Sequence, residues 1–183
     1  TVHYRQVLEL GLKFRYITLA VATGRVCPEL CATECRRTIK DDPLAINSIK
    51  RFLSDWERES GERLTVPVAA DTGKKIAVVG SGPSGLTVAG DLIVKGHDVT
   101  VLEAFHKPGG VLVYGIPEFR LPKAIVAKEV NFLERVGVNV ECNAVVGRTV
   151  SLDELFEEGY DAIYLGVGAG LPRFMNIPGE NLV

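Results

Sequence analysis

The stretch from Lys74 to Ala104, KKIAVVGSGPSGLTVAGDLIVKGHDVTVLEA, constrains this chain more than any other. Lys75 to Val79 is a short apolar, β-branched run that predicts a strand. Gly80, Gly82 and Gly85 follow at G-x-G-x-x-G spacing. Pro83 to Lys95 then continues with helical periodicity, and a second β run, Asp98 to Leu102, ends at Glu103. Strand, glycine turn, helix and strand in that order make a βαβ unit with parallel strands. Gly80 allows the tight turn off the strand. Gly82 has no Cβ, so a pyrophosphate can approach the backbone, and Gly85 lets the helix pack closely on the sheet. Pro83 sits at the first helical position, where its missing N–H costs nothing. The open N–H groups of that helix end and its dipole favour an anion. Glu103 stands 18 residues beyond Gly85, where an acid meets a ribose 2′-hydroxyl. An acid there disfavours a 2′-phosphate, which leaves FAD or NAD ahead of NADP for this pocket.

Composition narrows the class. The chain has 183 residues, 46% hydrophobic and 24% charged, ordinary for a soluble globular protein with one core and a small annex. A formal net charge of −2 argues against a nucleic-acid binder. No run of 18 apolar residues predicts a membrane span, and the first twenty residues carry charges throughout their apolar pattern, unlike a signal peptide. Four cysteines in this setting read as reduced thiols or metal ligands rather than a disulfide framework, which points to the cytoplasm.

Before the βαβ unit, residues 1–22 predict a helix with a broad apolar face, Val7, Leu8, Leu10, Leu12, Phe14, Ile17, Leu19 and Ala20. Cys27, Cys31 and Cys35 recur every fourth residue in TGRVCPELCATECRR. With Pro28 as a first helical residue, Cys31 and Cys35 would stack on one helix face with Cys27 at its mouth. Three thiolates converging there suit a soft metal or an iron–sulfur cluster. The alternative is three small apolar residues in a helix interface. Another helix runs from Leu44 to about Glu59 with Ile46, Ile49, Phe52, Leu53 and Trp56 on one face. Residues 60–73 read as a linker.

After Glu103, Gly109-Gly110 permit close backbone approach to a ligand, and Pro117 and Pro122 bound a loop carrying Arg120. Pro122 opens a helix to about Val136 with Ile125, Val126, Val130, Phe132 and Leu133 inward. Val138 to Cys142 predicts a strand with a short extension at Ala144 to Val146. Ser151 with Glu154 makes a capping box, and Asp161 to Leu165 is a last strand running into a second glycine-rich turn. His3, His97 and His106 are scattered, and no nucleophile–base arrangement is visible, so no catalytic residue is assigned. Cys142 reads as a core thiol.

Taken together and in order, GRVCPELC…C, PLAINSIKRF, VVGSGPSGL, Glu103, GGVLVYGIPEFRLPK and VGAGLPRFMNIPGENL resemble the small subunit family of NADPH-dependent glutamate synthase. The same module occurs in the N-terminal half of dihydropyrimidine dehydrogenase and in the large subunit of NADH-dependent ferredoxin:NADP oxidoreductase. The resemblance covers essentially the whole chain and implies an α/β Rossmann-like fold, a parallel sheet with flanking helices, preceded by a small α-helical ferredoxin-type domain. It implies FAD on Gly80, Gly82, Pro83, Ser84 and Gly85 at the pyrophosphate, and on Glu103 at the adenosine ribose. Gly110, Val111 and Arg120 would line the FAD cleft, Val146 would meet the adenine through its backbone, and Gly168 would belong to a second FAD-contacting turn. A 4Fe-4S cluster would draw on Cys27, Cys31 and Cys35, with Cys27 and Cys31 serving one cluster and Cys35 its neighbour. Thr23 stands where the family has a further cysteine, and Lys50 near a position where some members place a cluster-ligating acid or amide.

The expected division is 1–65, helical iron–sulfur type, and 66–183, FAD-binding and lacking a second G-x-G-x-x-G unit for NADPH. The expected function is the electron-input part of a flavin- and iron–sulfur-dependent oxidoreductase, passing electrons from NADPH through FAD to clusters and a partner. That partner would be a larger oxidoreductase subunit or the remainder of a longer parent chain. The alternative is a non-catalytic binding or assembly module with a partial dinucleotide fold.

Overall fold

A computed structural model describes residues 20–60, 67–170 and 174–180; the helix expected over 1–22 lies outside them except for its end. Two helices open the described chain's N-terminal part, α1 (Ala20–Val26) and, after a four-residue turn of helix α2 (Leu30–Thr33) and a 3₁₀ turn at Arg36–Ile39, the longer α3 (Ile46–Ser60). α1 crosses α3 at Gly24, where an added Cβ would lie 3.2 Å from the Cα of Arg51. A glycine at the crossing lets two backbones approach.

The remaining elements build one sheet: β1 (Lys75–Val79), α4 (Pro83–Val94), β2 (Asp98–Glu103), α5 (Val111–Tyr114), α6 (Lys123–Val136), β3 (Asn139–Cys142), α7 (Leu152–Glu157) and β4 (Ala162–Leu165). The four strands are parallel, in the order β3-β2-β1-β4. Val78 of β1 lies beside Val101 of β2, and Val79 beside Leu102. The strand period of two then separates two cores. Val78, Val99 and Val101 pack with Leu86, Ala89 and Ile93 of α4 and Val126, Val130 and Leu133 of α6. Ala77 and Leu102 pack with Leu155 and Tyr160 around α7. Helices therefore cover both faces, as a parallel sheet requires.

The Rossmann-like expectation holds, and several boundaries move. Pro122 is the N-cap of α6 rather than its first residue, and α3 starts at Ile46 rather than Leu44. The extension at Ala144 to Val146 is no strand but an isolated bridge from Val146 to Val150. The capping box at Ser151 and Glu154 forms as expected. The apolar stripe of α3 is less covered than its pattern implied: Ile46, Ile49 and Phe52 are about half exposed, because α1 covers only part of that face.

The segment after residue 66 is tied to the C-terminal end of α4 rather than free-running. Ala69 N–H donates to Val94 O and Thr72 N–H to Gly96 O, both at 2.9 Å. The helical part is likewise joined to the larger core. Ala22 is fully buried within it, and the N–H groups of Val21 and Ala22 donate to Glu129 Oε1 of α6 at 2.8 and 3.3 Å. No described helix is long and apolar enough to cross a membrane.

Candidate dinucleotide site

In a doubly wound sheet the ligand crevice lies beyond the carboxyl ends of the strands where the strand order reverses. Here the order reverses between β1 and β4, so the crevice falls at Gly80 and at the 166–170 turn. The two are packed together: Gly80 has φ 97°, and an added Cβ would lie 2.4 Å from Gly166 O. A Cβ on Gly85 would lie 1.9 Å from Gly80 O, so only glycine permits α4 to start this close to the strand. Gly82 differs. A Cβ there meets nothing within 4 Å; it would project into open space before the helix end. Gly82 is the N-cap of α4, Pro83 is its first residue, and no side chain caps it. Its first-turn N–H groups remain turned toward the space in front of Gly82. The residues present thus fit a pyrophosphate: open cradle, uncapped helix end and no Cβ between them.

Glu103 ends β2 beside this turn and is 4% exposed. Its Oε2 accepts from Ser81 N–H at 2.9 Å and from the Ser81 hydroxyl, and its Oε1 accepts from Phe105 N–H at 2.9 Å. Ser81, fully buried, also accepts from Gly109 N–H at 2.8 Å. A carboxylate offers about four acceptor sites, so one on Oε1 is left for a ribose hydroxyl. The serine between the glycines was not singled out from sequence. Its signal was a small hydroxyl in a glycine turn facing a strand-end acid. It ties three segments together: the turn, β2 and the Gly109-Gly110 loop. Gly110 is held against the turn so closely that a Cβ would lie 2.9 Å from Gly82 Cα.

The loop that follows is anchored by residues whose role was equally silent in sequence. Lys123 Nζ donates to Leu112 O at 2.8 Å and to Ile116 O. Glu118 accepts from Lys123 N–H at 3.1 Å, and Leu121 is fully buried. Val111, next to Gly110, is exposed at the head of α5. Ser84 in the first turn of α4 meets the Tyr164 hydroxyl at 2.6 Å, which links that helix end to β4. Gly168 has φ 74° with open space around it. Val146 is half-buried beyond β3, in its bridge to Val150. Arg120 is exposed and faces a hollow whose other walls include Arg25 and Arg51 of the helical part. None of Gly80, Gly82, Ser84, Gly85 or Gly110 lines that hollow.

The cysteine segment departs from expectation. No helix joins Cys31 to Cys35. Glu29 adopts a left-handed conformation, φ 56°, and α2 ends at Thr33. The hydroxyls of Thr33 and Thr38 bond Leu30 O and Cys35 O at 2.8 and 2.6 Å, which favours turns over a continuous helix. Cys35 precedes the 3₁₀ turn in extended conformation. Backbone N–H groups of Leu44, Arg37 and Thr38 hold its thiol below the usual cysteine range, helped by the Arg37 charge. That suits a thiolate. Yet among the described residues no three His, Cys, Asp or Glu side chains gather as a metal-holding group. The described residues do not form a complete cluster site. Cys142 stands at the edge of the sheet on β3, half-buried rather than in the core. Burial, then the Glu103 and Glu134 charges, push its thiol up.

The chain has relatives on both halves. A family described as dihydropyrimidine dehydrogenase domain II, 4Fe-4S cluster, matches residues 11–62, and an NAD(P)-binding Rossmann-like domain matches residues 78–117. The NADP(+)-dependent formate dehydrogenase subunit beta of Moorella thermoacetica is 37% identical over 89% of this chain and 26% of its own length. The glutamate synthase [NADPH] small chain of Bacillus subtilis is 40% identical over 87% and 32%. The NAD-dependent dihydropyrimidine dehydrogenase subunit PreT of Escherichia coli K12 is 38% identical over 85% and 39%. The chain spans a quarter to two-fifths of the length of these relatives, and over that span it is similar to glutamate synthase small chains and PreT-type dihydropyrimidine dehydrogenase subunits.

Proposed function

We propose that the chain is the electron-input part of a flavin- and iron–sulfur-dependent oxidoreductase, with FAD seated at the glycine turn. The observation that carries this is Gly82: open space at its missing Cβ, before an uncapped helix end, beside a buried acid locked by Ser81. The adenosine ribose would take the remaining acceptor of Glu103. Val146 would serve the adenine, Gly110, Val111 and Arg120 would line the cleft, and Gly168 would belong to a second turn against the flavin dinucleotide. FAD supplies the acceptance of hydride from a nicotinamide and the release of single electrons; the protein binds and orients it. This chain's residues hold the pyrophosphate, exclude water behind the Ser81–Glu103–Gly109 network and fix the loop through Lys123.

The nicotinamide donor, NADPH, belongs with a second dinucleotide unit that this sequence does not contain, and electrons leave to a larger subunit or the rest of a longer chain. The division into 1–65 and 66–183 and a cytoplasmic setting complete this reading. A second reading, a non-catalytic assembly module, is favoured by the incomplete ligand set around the cysteines. Titration with FAD, NAD and NADP, followed by flavin fluorescence and by competition, separates them. The flavin reading expects FAD to bind more tightly than NADP; an assembly module binds none of the three.

A further inference from the structure

We propose that Tyr164 is a positioning residue for the bound diphosphate: its hydroxyl holds that of Ser84 so that Ser84 donates to a phosphate oxygen. This role rests on the flavin reading, which seats a pyrophosphate at the glycine turn. Ser84 is the second residue of α4, directly behind Gly82 and Pro83 at the uncapped helix end. Its side chain is exposed, and its hydroxyl lies 2.6 Å from that of Tyr164. The contact joins the front of the glycine turn to β4, 80 positions away.

Tyr164 reaches that point from a prepared position. β4 lies at one edge of the sheet, and Tyr164 sits beside Val78 of β1. Its ring packs partly against the larger core. A Cβ on Gly166 would lie 3.1 Å from Tyr164 Cε1 and 3.4 Å from the backbone nitrogen of Gly85. Glycine at 166 therefore leaves room for the ring beside the first turn of α4. Gly166 N–H donates to Val79 O at 2.7 Å, which ties that turn to β1. The core contact and the slot need only the ring; a phenylalanine would satisfy both. The hydroxyl is the part that serves Ser84.

Proton bookkeeping gives the pair its direction. Two hydroxyls carry two protons, and their contact uses one. Neither has another hydrogen-bond partner among the described residues. A phenol is more acidic than an aliphatic hydroxyl, so Tyr164 is the better donor and Ser84 the better acceptor. The Ser84 proton is then left for a ligand in front of the helix. A hydroxyl polarised by the one behind it donates more strongly, and an anionic phosphate oxygen strengthens the bond further. An exposed serine otherwise turns among its rotamers; the tie to β4 removes that freedom before the ligand arrives.

The test is calorimetric titration of FAD and of ADP, which carries the adenosine diphosphate without the flavin. The full chain is compared with Tyr164→Phe, Ser84→Ala and the double variant. Ser84→Ala should weaken both ligands about tenfold by removing a donor to a charged oxygen. Tyr164→Phe should weaken both about threefold, the cost of ordering one side chain on binding, and should have no effect in the Ser84→Ala background. With FAD bound, Tyr164→Phe should also shift a phosphorus NMR resonance of the diphosphate while the visible bands of the flavin stay in place. A loss that persists in the Ser84→Ala background without that shift would make the pair a mere staple between β4 and α4 and overturn the proposal. Unchanged binding of both ligands by Tyr164→Phe would overturn it too. ADP binding with the expected dependence but no FAD binding would uphold the role of Tyr164 and sink the flavin reading. Binding of neither would overturn both.

Discussion

Glu129 offers a quantitative test of how the helical segment is joined to the sheet. Its carboxylate lies between α1 and α6, with Oε1 taken by the N–H groups of Val21 and Ala22 and Oε2 buried without a partner among the described residues. Burial raises its pKa from 4.5 to about 7, against the lowering effect of those two N–H groups and the Arg25 charge. In the unfolded chain the group titrates near its ordinary value. Between pH 4.5 and 7 the folded state therefore binds more protons than the unfolded one, and stability falls as pH rises through that window. Below 4.5 the group costs nothing; above 7 the full penalty applies. A shift of roughly 2.5 units corresponds to about 3 kcal/mol at most, and relaxation of the protein around the buried charge lowers that to about 1–3 kcal/mol. Glu129→Gln keeps the Oε1 acceptor and removes the charge. Urea unfolding of both proteins from pH 4.5 to 8.5 should show nearly equal stability at the acid end. The variant should gain steadily to about 1–3 kcal/mol above pH 7, a rise in melting midpoint of roughly 2–4 °C per kcal/mol. Parallel stability curves would show that Glu129 ionises freely and that the junction is not a desolvated one.

Ser81→Ala removes the hydroxyl that joins Glu103 to Gly109 and should cost about 1–3 kcal/mol in denaturant unfolding, while loosening FAD binding through the Gly110 loop. Gly85→Ala places a Cβ 1.9 Å from Gly80 O; α4 must move off β1, and the variant should lose several kcal/mol and its FAD affinity together. Lys123→Met leaves Leu112 O and Ile116 O without their shared donor and should lower FAD affinity more than it lowers the melting midpoint. Because no closed ligand set forms among the described residues, iron and acid-labile sulfide assays on the isolated 183-residue chain should find little or no cluster after anaerobic reconstitution; a stoichiometric cluster would mean that a ligand has been missed.

The parts of the fold visible in the sequence are those set by local rules. β1, α4 and β2 were written in the alternation of β-branched residues and the spacing of Gly80, Gly82 and Gly85. The cap at Ser151 and Glu154 depends on residues three apart, and the inward face of α6 on its period. What was not legible depends on distant partners or on single dihedral angles. Nothing in CPELCATEC announces that Glu29 will turn left-handed, so that the helix starts only at Leu30, or that it will stop at Thr33, short of Cys35. Ser81 reads as a spacer until β2 brings Glu103 beside it, 22 positions away. The division near residue 65 follows composition, yet Ala22 sits in the main core, through contacts more than a hundred positions apart. The exposed stripe of α3 shows the same limit: periodicity says which face is apolar, not what covers it.

The central claim is that the glycine turn holds the pyrophosphate of a flavin dinucleotide. The direct measurement is equilibrium binding of FAD to the chain and to Gly82→Val, read by flavin fluorescence and by the two visible absorption bands of the bound flavin. Because a Cβ at Gly82 meets no protein atom within 4 Å, the variant should fold with an unchanged melting midpoint and yet bind no FAD, its branched side chain filling the space where the phosphate sits. A folded Gly82→Val chain that binds FAD as tightly as the parent would contradict the account.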